Sequence, residues 1–219
     1  MTPVVDRAVV AANIAAVSRR IEAAGGRGVE VLAVTKGFGG DAVAAAAAAG
    51  CTTVGENYAQ ELRAKREAVT SAGVAVYFIG QLQTNKVRAV AGLVAVWASV
   101  DRRRLITELA RRDPGARVLV QVDATGEPGK GGCSIGAAAD IVAAADAAGL
   151  RVEGLMTVGP TSGESVATAA AFRTVRALVD ELGLAVCSMG MTSDLEIAVA
   201  EGSTQVRLGT ALFGRRPPP

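Results

Sequence analysis

Val31-Leu32-Ala33-Val34-Thr35-Lys36, followed at once by Gly37-Phe38-Gly39-Gly40, is the stretch on which the fold turns. No polar residue interrupts Val31 to Val34, so the run reads as a strand buried on both faces. Seven further strand-like runs follow: Thr52–Glu56, Val74–Ile79, Leu93–Val100, Arg117–Asp123, Val152–Val158, Ala185–Met189 and Gln205–Leu208. Amphipathic or Ala-rich helical patterns separate them, at Asp41–Ala49, Tyr58–Thr70, Thr84–Ala91, Arg102–Arg112, Ala137–Ala148, Glu164–Leu182 and Ser193–Ala200. An extra N-terminal helix, roughly Asp6 to Ala24, precedes the first strand and stops at Gly25-Gly26. Eight strands alternating with helices fit a (β/α)8 TIM barrel, whereas an open doubly wound sheet has fewer strands and a Gly-rich first turn. No linker or second-domain segment interrupts the pattern, so residues 1–219 are expected to form one domain.

Local signals set the expected boundaries. Asp41 and Asp101 stand where they can N-cap the helices that follow. Glu61 and Lys65 are spaced i, i+4 on the third helical pattern, where Lys65 reads as a surface residue, as does Lys86.

Composition removes several chemistries. There is no histidine in the chain, which excludes His-based acid–base catalysis, Ser-His-Asp and Cys-His systems and most zinc sites. Cys51, Cys133 and Cys187 have no CxxC spacing and read as small reduced apolar residues of a cytoplasmic protein. A net charge of +2 is too small to argue for nucleic acid or an anionic membrane. The dense run Arg102-Arg103-Arg104 reads as a solvated helix face. Met1 to Arg20 carries Asp6, Arg7 and Asn13, so it has no signal-peptide core, and no apolar run approaches membrane-spanning length.

Lysine is scarce: Lys36, Lys65, Lys86 and Lys130 are the only four among 23 basic residues. An ammonium at the end of a buried strand is partly desolvated, which lowers its pKa and makes the amine nucleophilic, as a Schiff-base lysine requires. In a barrel the C-terminal strand ends converge on one face. Beside Lys36 that face would gather Glu56 and Asn57, Gln81, Asp123, Met156 and Thr157, Ser188-Met189-Gly190 and Arg207-Leu208-Gly209-Thr210. Barrels often bind phosphate between their last two strands, and Ser188 to Asp194 together with Gly209-Thr210 supply hydroxyls and amides there. Arg207 alternates with Val206 and Leu208, so it should point inward, where it needs an acceptor, a carboxylate or a ligand. An amine, a phosphate cradle and an inward guanidinium match the aldehyde, phosphate and ring nitrogen of pyridoxal 5′-phosphate. No metal site is expected.

Five stretches carry a resemblance: Ala33-Val34-Thr35-Lys36; Gly55-Glu56-Asn57-Tyr58-Ala59-Gln60-Glu61; Phe78-Ile79-Gly80-Gln81-Leu82-Gln83-Thr84-Asn85-Lys86; Ser188-Met189-Gly190-Met191-Thr192-Ser193-Asp194; and Val206-Arg207-Leu208-Gly209-Thr210-Ala211-Leu212-Phe213-Gly214. In order and spacing these resemble the pyridoxal phosphate homeostasis protein family, which is similar to the barrel half of the fold-type III alanine racemases without their C-terminal β-domain. The resemblance implies a lysine aldimine at Lys36, with Asn57 and Met156 beside the cofactor. It further implies Ser188, Gly209 and Thr210 around the phosphate and Arg207 facing the pyridine nitrogen. Met189 and Gly190 complete the expected cofactor-binding set. One departure is Val76-Tyr77, where the family usually has Trp-His; Thr192 is a milder change.

The expected role is a carrier that holds the cofactor reversibly and passes it to apo-enzymes that use it, without robust catalysis. A cationic Arg207 would keep the ring nitrogen unprotonated, and a monomer lacking the racemase β-domain lacks its opposing tyrosine base. The alternative is a racemase of low activity, with Tyr77 or Tyr58 as second base. Lys130, in Gly126-Glu127-Pro128-Gly129-Lys130-Gly131-Gly132, is not a P-loop lysine, since Ala124 and Gly131 break that motif. The resemblance implies a second, transient landing place there, and a solvated loop lysine is the plain alternative.

Overall fold

Thr53 to Glu56 and Val96 to Val100 are buried along their whole length, as strands covered on both faces must be. In the computed structural model, which describes residues 5–216, nine strands form. They are β1 (Glu30–Val34), β2 (Thr53–Glu56), β3 (Ala75–Phe78), β4 (Val96–Val100), β5 (Arg117–Asp123), β6 (Cys133–Ser134), β7 (Arg151–Met156), β8 (Val186–Ser188) and β9 (Gln205–Leu208). All pairings are parallel, and β1-β2-β3-β4-β5-β7-β8-β9 closes on itself through Leu32 opposite Arg207 and Ala33 opposite Leu208. The fold is therefore a TIM barrel with an added N-terminal helix, Arg7–Ala23. The two-residue β6 lies outside the circuit, hydrogen-bonded to β5. Sequence periodicity had no signal for so short a strand.

The two faces of each strand divide the core. Leu32, Tyr77, Val96, Ala98, Leu119 and Met156 fill the barrel interior. Their outward neighbours Ala33, Val54, Val76, Val118, Leu155 and Val206 pack with helix residues such as Leu105, Phe172 and Leu195. Few aromatics are available, and small residues let the helices approach closely. Gly40 shows the tightness, since a Cβ there would meet the Ala68 Cβ of a neighbouring helix at 2.8 Å. The three cysteines are buried and free. Among the described residues no helix is long and apolar enough to cross a membrane.

Four expectations need correction. Gly39, not Asp41, precedes the helix Gly40–Ala48, and Asp41 lies inside its first turn, where it accepts the Val5 N–H at 2.7 Å. Arg102, not Asp101, occupies the N-cap of Arg103–Arg112, because Asp101 is turned to pair with the Arg102 guanidinium. The pattern Tyr58–Thr70 is two helices, Ala59–Ala64 and Arg66–Ala72, broken at Lys65. Lys65 is not a surface residue. The outward alternation of β2 buries Glu56 beneath these helices, and a buried carboxylate requires a cation. The Lys65 ammonium supplies it at 2.7 Å, leaving the i, i+4 partner Glu61 at 3.7 Å.

Candidate ligand site at the mouth of the barrel

Lys36 follows β1 by two residues, and the chain turns immediately after it. The Phe38 N–H donates to the Thr35 carbonyl at 3.1 Å, and Gly37 takes a φ of +76°, which fits the third position of a type II turn. The turn leaves Lys36 half-buried on the wall of a cavity of about 510 Å³. Burial, helped by the cations Arg216 and Arg207, holds its amine below the usual lysine range, while Glu61 and Glu56 act in the opposite direction.

Arg207 faces Lys36's cavity from β9, and its partners are not carboxylates. It donates to the Thr157 carbonyl at 2.6 Å, the Ser188 carbonyl at 2.7 Å and the Ser188 hydroxyl at 3.0 Å. Burial pushes its pKa down to about 10, opposed mainly by the Asp194 carboxylate. It remains a cation at neutral pH.

The structure brings six of the nine expected residues to this cavity: Lys36, Asn57, Met156, Arg207, Gly209 and Thr210. Ser188, Met189 and Gly190 do not line it. Ser188 faces inward but is fully buried behind the wall, held between Arg207 and the Gln205 amide oxygen, 2.8 Å away. Met189 alternates outward into the main core. Gly190 has a φ of +95° and lies against Ala198, so it turns the chain without facing the cavity. The turn delivers Met191, Thr192 and Ser193 to the wall in their place. Asp194 holds this loop by accepting the Met191 N–H at 2.5 Å, and Thr192 Oγ1 accepts the Ala211 N–H at 3.2 Å. These residues stood inside a quoted motif, and no residue-level signal showed which of its positions face inward.

Phe38, Ile79 and Val158 add an apolar rim, and Gln121 and Arg216 complete the wall. The signal for Ile79, Gln121 and Val158 was available, because each lies at an even step along its strand from an interior residue. Phe38 packs on Phe213 with ring centroids 5.3 Å apart, which fastens the Lys36 turn to the last helix, Thr210–Phe213. Glu56, placed at the barrel mouth by the sequence reading, points away from the cavity.

A second cavity, about 740 Å³, adjoins the first through the shared residue Asn57 and is lined in part by Tyr58, Lys86, Arg102 and Lys130. Lys130 is tied down by the Gly159 carbonyl at 2.6 Å and Glu127 at 3.0 Å. Tyr77, in place of the family's usual His, lies deep in the barrel interior, where burial raises its pKa. Neither Tyr58 nor Tyr77 lines the Lys36 cavity.

The residues present fit a flat aromatic anion bearing an aldehyde. An amine of lowered pKa stands on one wall, Met156 and Ile79 supply apolar surface, and Thr192, Ser193 and Thr210 line the same cavity as Arg207. The Asn57 side-chain oxygen is buried with no hydrogen-bond partner, which leaves one polar atom for a ligand to satisfy. Among the described residues no group of three or more His, Cys, Asp or Glu is placed to hold a metal ion.

Known proteins share this chain's sequence and fold. The family model "Alanine racemase, N-terminal domain" matches residues 5–217. A pyridoxal phosphate homeostasis protein of Pseudomonas aeruginosa is 41% identical, over 94% of this chain and 96% of its own length. The protein of that name from Escherichia coli K12 is 36% identical, over 94% and 97%. Among solved structures, PipY of Synechococcus elongatus with PLP bound superposes with a TM-score of 0.82 at 29% identity, covering 94% of this chain and all of that one. The D-threo-3-hydroxyaspartate dehydratase of Delftia shares only the fold, at 20% identity and a TM-score of 0.73 over 60% of its length. The barrel, the strand-end lysine and these likenesses agree: the chain belongs to the alanine racemase N-terminal domain family, and within it to the pyridoxal phosphate homeostasis proteins.

Proposed function

We propose that this chain binds pyridoxal 5′-phosphate reversibly on Lys36 and serves in intracellular homeostasis of that cofactor, as one domain over residues 1–219. Its site would consist of Lys36, Asn57, Met156, Arg207, Gly209 and Thr210, with Ser188, Met189 and Gly190 supporting it from behind the wall. When bound, the cofactor supplies an aldehyde that condenses with an amine, with loss of one water. Lys36 contributes that amine, poised for attack because burial favours its neutral form. Arg207 offers a cation held in place by backbone carbonyls, so its guanidinium keeps one orientation. Met156 and Ile79 would give the cofactor apolar surface and keep water off it, and Thr192, Ser193 and Thr210 would offer hydroxyls to its phosphate.

The observation that carries this reading is the lysine of lowered pKa in a cavity that also holds Arg207 and the Gly209-Thr210 turn. Handover to apo-enzymes, a monomeric state and a cytoplasmic location belong to the same proposal. The racemase alternative is not favoured, since neither tyrosine available as a second base lines the Lys36 cavity.

The test is an absorption spectrum with added pyridoxal 5′-phosphate, before and after borohydride, with mass analysis of the reduced lysine. A covalent adduct at Lys36, lost in Lys36→Ala, supports the proposal. An adduct elsewhere, or none, overturns it. Deuterium exchange at the α-carbon of L-alanine well above that of the free cofactor would overturn the non-catalytic part.

A further inference from the structure

Lys65 and Glu61 lie outside the Lys36 cavity, yet both reach the residues that flank Lys36. Thr35, just before it, is fully buried, and its side chain points away from the cavity. The Lys65 ammonium donates to the Thr35 carbonyl at 2.7 Å. The same ammonium donates to Glu56 Oε1 at 2.7 Å, and the Thr35 hydroxyl donates to that same oxygen at 2.6 Å. Gly37, just after Lys36, donates its N–H to Glu61 Oε2 at 2.7 Å. The turn is thus gripped on both sides by charged groups from one helical segment.

This arrangement carries costs that folding alone does not call for. The ion pair is deeply buried, with 5% exposure at Lys65 and none at Glu56. Such pairs seldom stabilise more than apolar residues of the same shape would. Glu56 Oε2 has no partner at all, and its carboxyl is raised by burial against the pull of Lys65. The helical stretch breaks at Lys65, with a φ of −94° and ψ of 6° at the junction. A buried polar cluster retained at this expense calls for a role other than stability.

We propose that Lys65 and Glu61 are positioning residues: Lys65, through the Thr35 carbonyl and Glu56, and Glu61, through the Gly37 N–H, hold the turn that aims the Lys36 amine into its cavity. This rests on the reading of Lys36 as the amine that takes an aldehyde. Five charged groups face that amine or its turn, namely Arg207, Arg216, Glu56, Glu61 and Lys65. A change that altered only this electrostatic balance would fade once the amine is neutral, whereas misaim persists at high pH.

The experiment measures the rate and affinity of Lys36 adduct formation with pyridoxal 5′-phosphate in the apoprotein. Adducts are trapped with borohydride and quantified by mass, with Lys86 in the same molecule as internal reference. The variants are Lys65→Met, the double variant Lys65→Met with Glu56→Gln, which leaves no unpaired buried charge, and Glu61→Ala, whose site is part-exposed. The expected result is a fall of about ten-fold or more in Lys36 adduct formation relative to Lys86, persisting at alkaline pH. Cooperative melting shows which variants are folded. Wild-type adduct formation in Glu61→Ala and in either folded Lys65 variant overturns the proposal, as does a loss that vanishes at alkaline pH. If wild-type protein itself forms no adduct at Lys36, the functional reading fails instead, and the two failures are told apart by that control.

Discussion

Arg207 on β9 and Ser188 on β8 are joined twice, the guanidinium donating to the Ser188 carbonyl at 2.7 Å and to its hydroxyl at 3.0 Å. The Ser188 hydroxyl donates onward to the Gln205 amide oxygen at 2.8 Å, and the Gln205 amide donates to Glu30 at 2.8 Å. Glu30 also accepts the Thr53 hydroxyl at 2.7 Å. A polar chain therefore runs down the barrel interior beneath the guanidinium and fixes it from below. Ser188→Ala removes the middle member and leaves the Gln205 oxygen unpaired. It is expected to destabilise the fold by about 1–3 kcal/mol in urea titrations and to weaken pyridoxal 5′-phosphate binding. Unchanged stability and binding would show that the chain does not act as a unit.

Gly80 admits no side chain. A Cβ there would lie 2.3 Å from the Asn57 carbonyl oxygen and 2.7 Å from its Cα, both backbone atoms that cannot simply rotate away. Gly80→Ala should displace Asn57 from the cavity wall, costing about 1–3 kcal/mol of stability and lowering cofactor affinity. Binding isotherms and thermal melts check both parts. A variant that loses stability while binding normally would place Asn57 outside the site.

The buried Lys36 amine makes the apoprotein's stability depend on pH. Its folded pKa is lowered, so the unfolded chain holds more protons between the folded value and the ordinary value of 10.5. Stability contributed at this position should therefore rise with pH across that window, and the desolvation penalty is fully present below it. Lys36→Met, which keeps the aliphatic stem, should melt higher than wild type at neutral pH, with the gap closing as pH climbs toward 10.5. A lower-melting variant at neutral pH, or a gap that does not change with pH, contradicts this.

Trp97, the sole tryptophan, is 1% exposed and donates its indole N–H to Asp113 at 2.8 Å. It also packs against Phe78 at 5.9 Å between centroids. Trp97→Phe should lower stability by about 1–3 kcal/mol without changing cofactor affinity, because the ring faces the helices. Intrinsic fluorescence of the wild type reports the same unfolding transition in denaturant.

The barrel was legible because its strands announce themselves by apolar continuity or alternation and its helices by the patterns between them. The register of β9 is an example: Val206 and Leu208 outside fix Arg207 inside. What escaped reading was tertiary. Lys65 sits at helix-surface spacing, and only the outward alternation of Glu56 on a neighbouring strand draws it inward. Ser188 and Met189 belong to the right motif, but the glycine turn at Gly190 passes the cavity wall to Met191, Thr192 and Ser193. The two Asp caps missed by a residue or two, because a cap depends on where the chain enters the helix: at Gly39, ahead of Asp41, and at Arg102, after Asp101.

The hydrogen-bonded seam between β1 and β9 has a temporal meaning for a chain made from its N-terminus. Lys36 leaves the ribosome some 170 residues before Arg207 and Thr210, the separation of β1 and β9 partners such as Glu30 and Gln205 being 175. Until β9 has paired with β1, Lys36 has no Arg207 across from it, so the cavity is a product of ring closure and exists in no shorter stretch of the barrel.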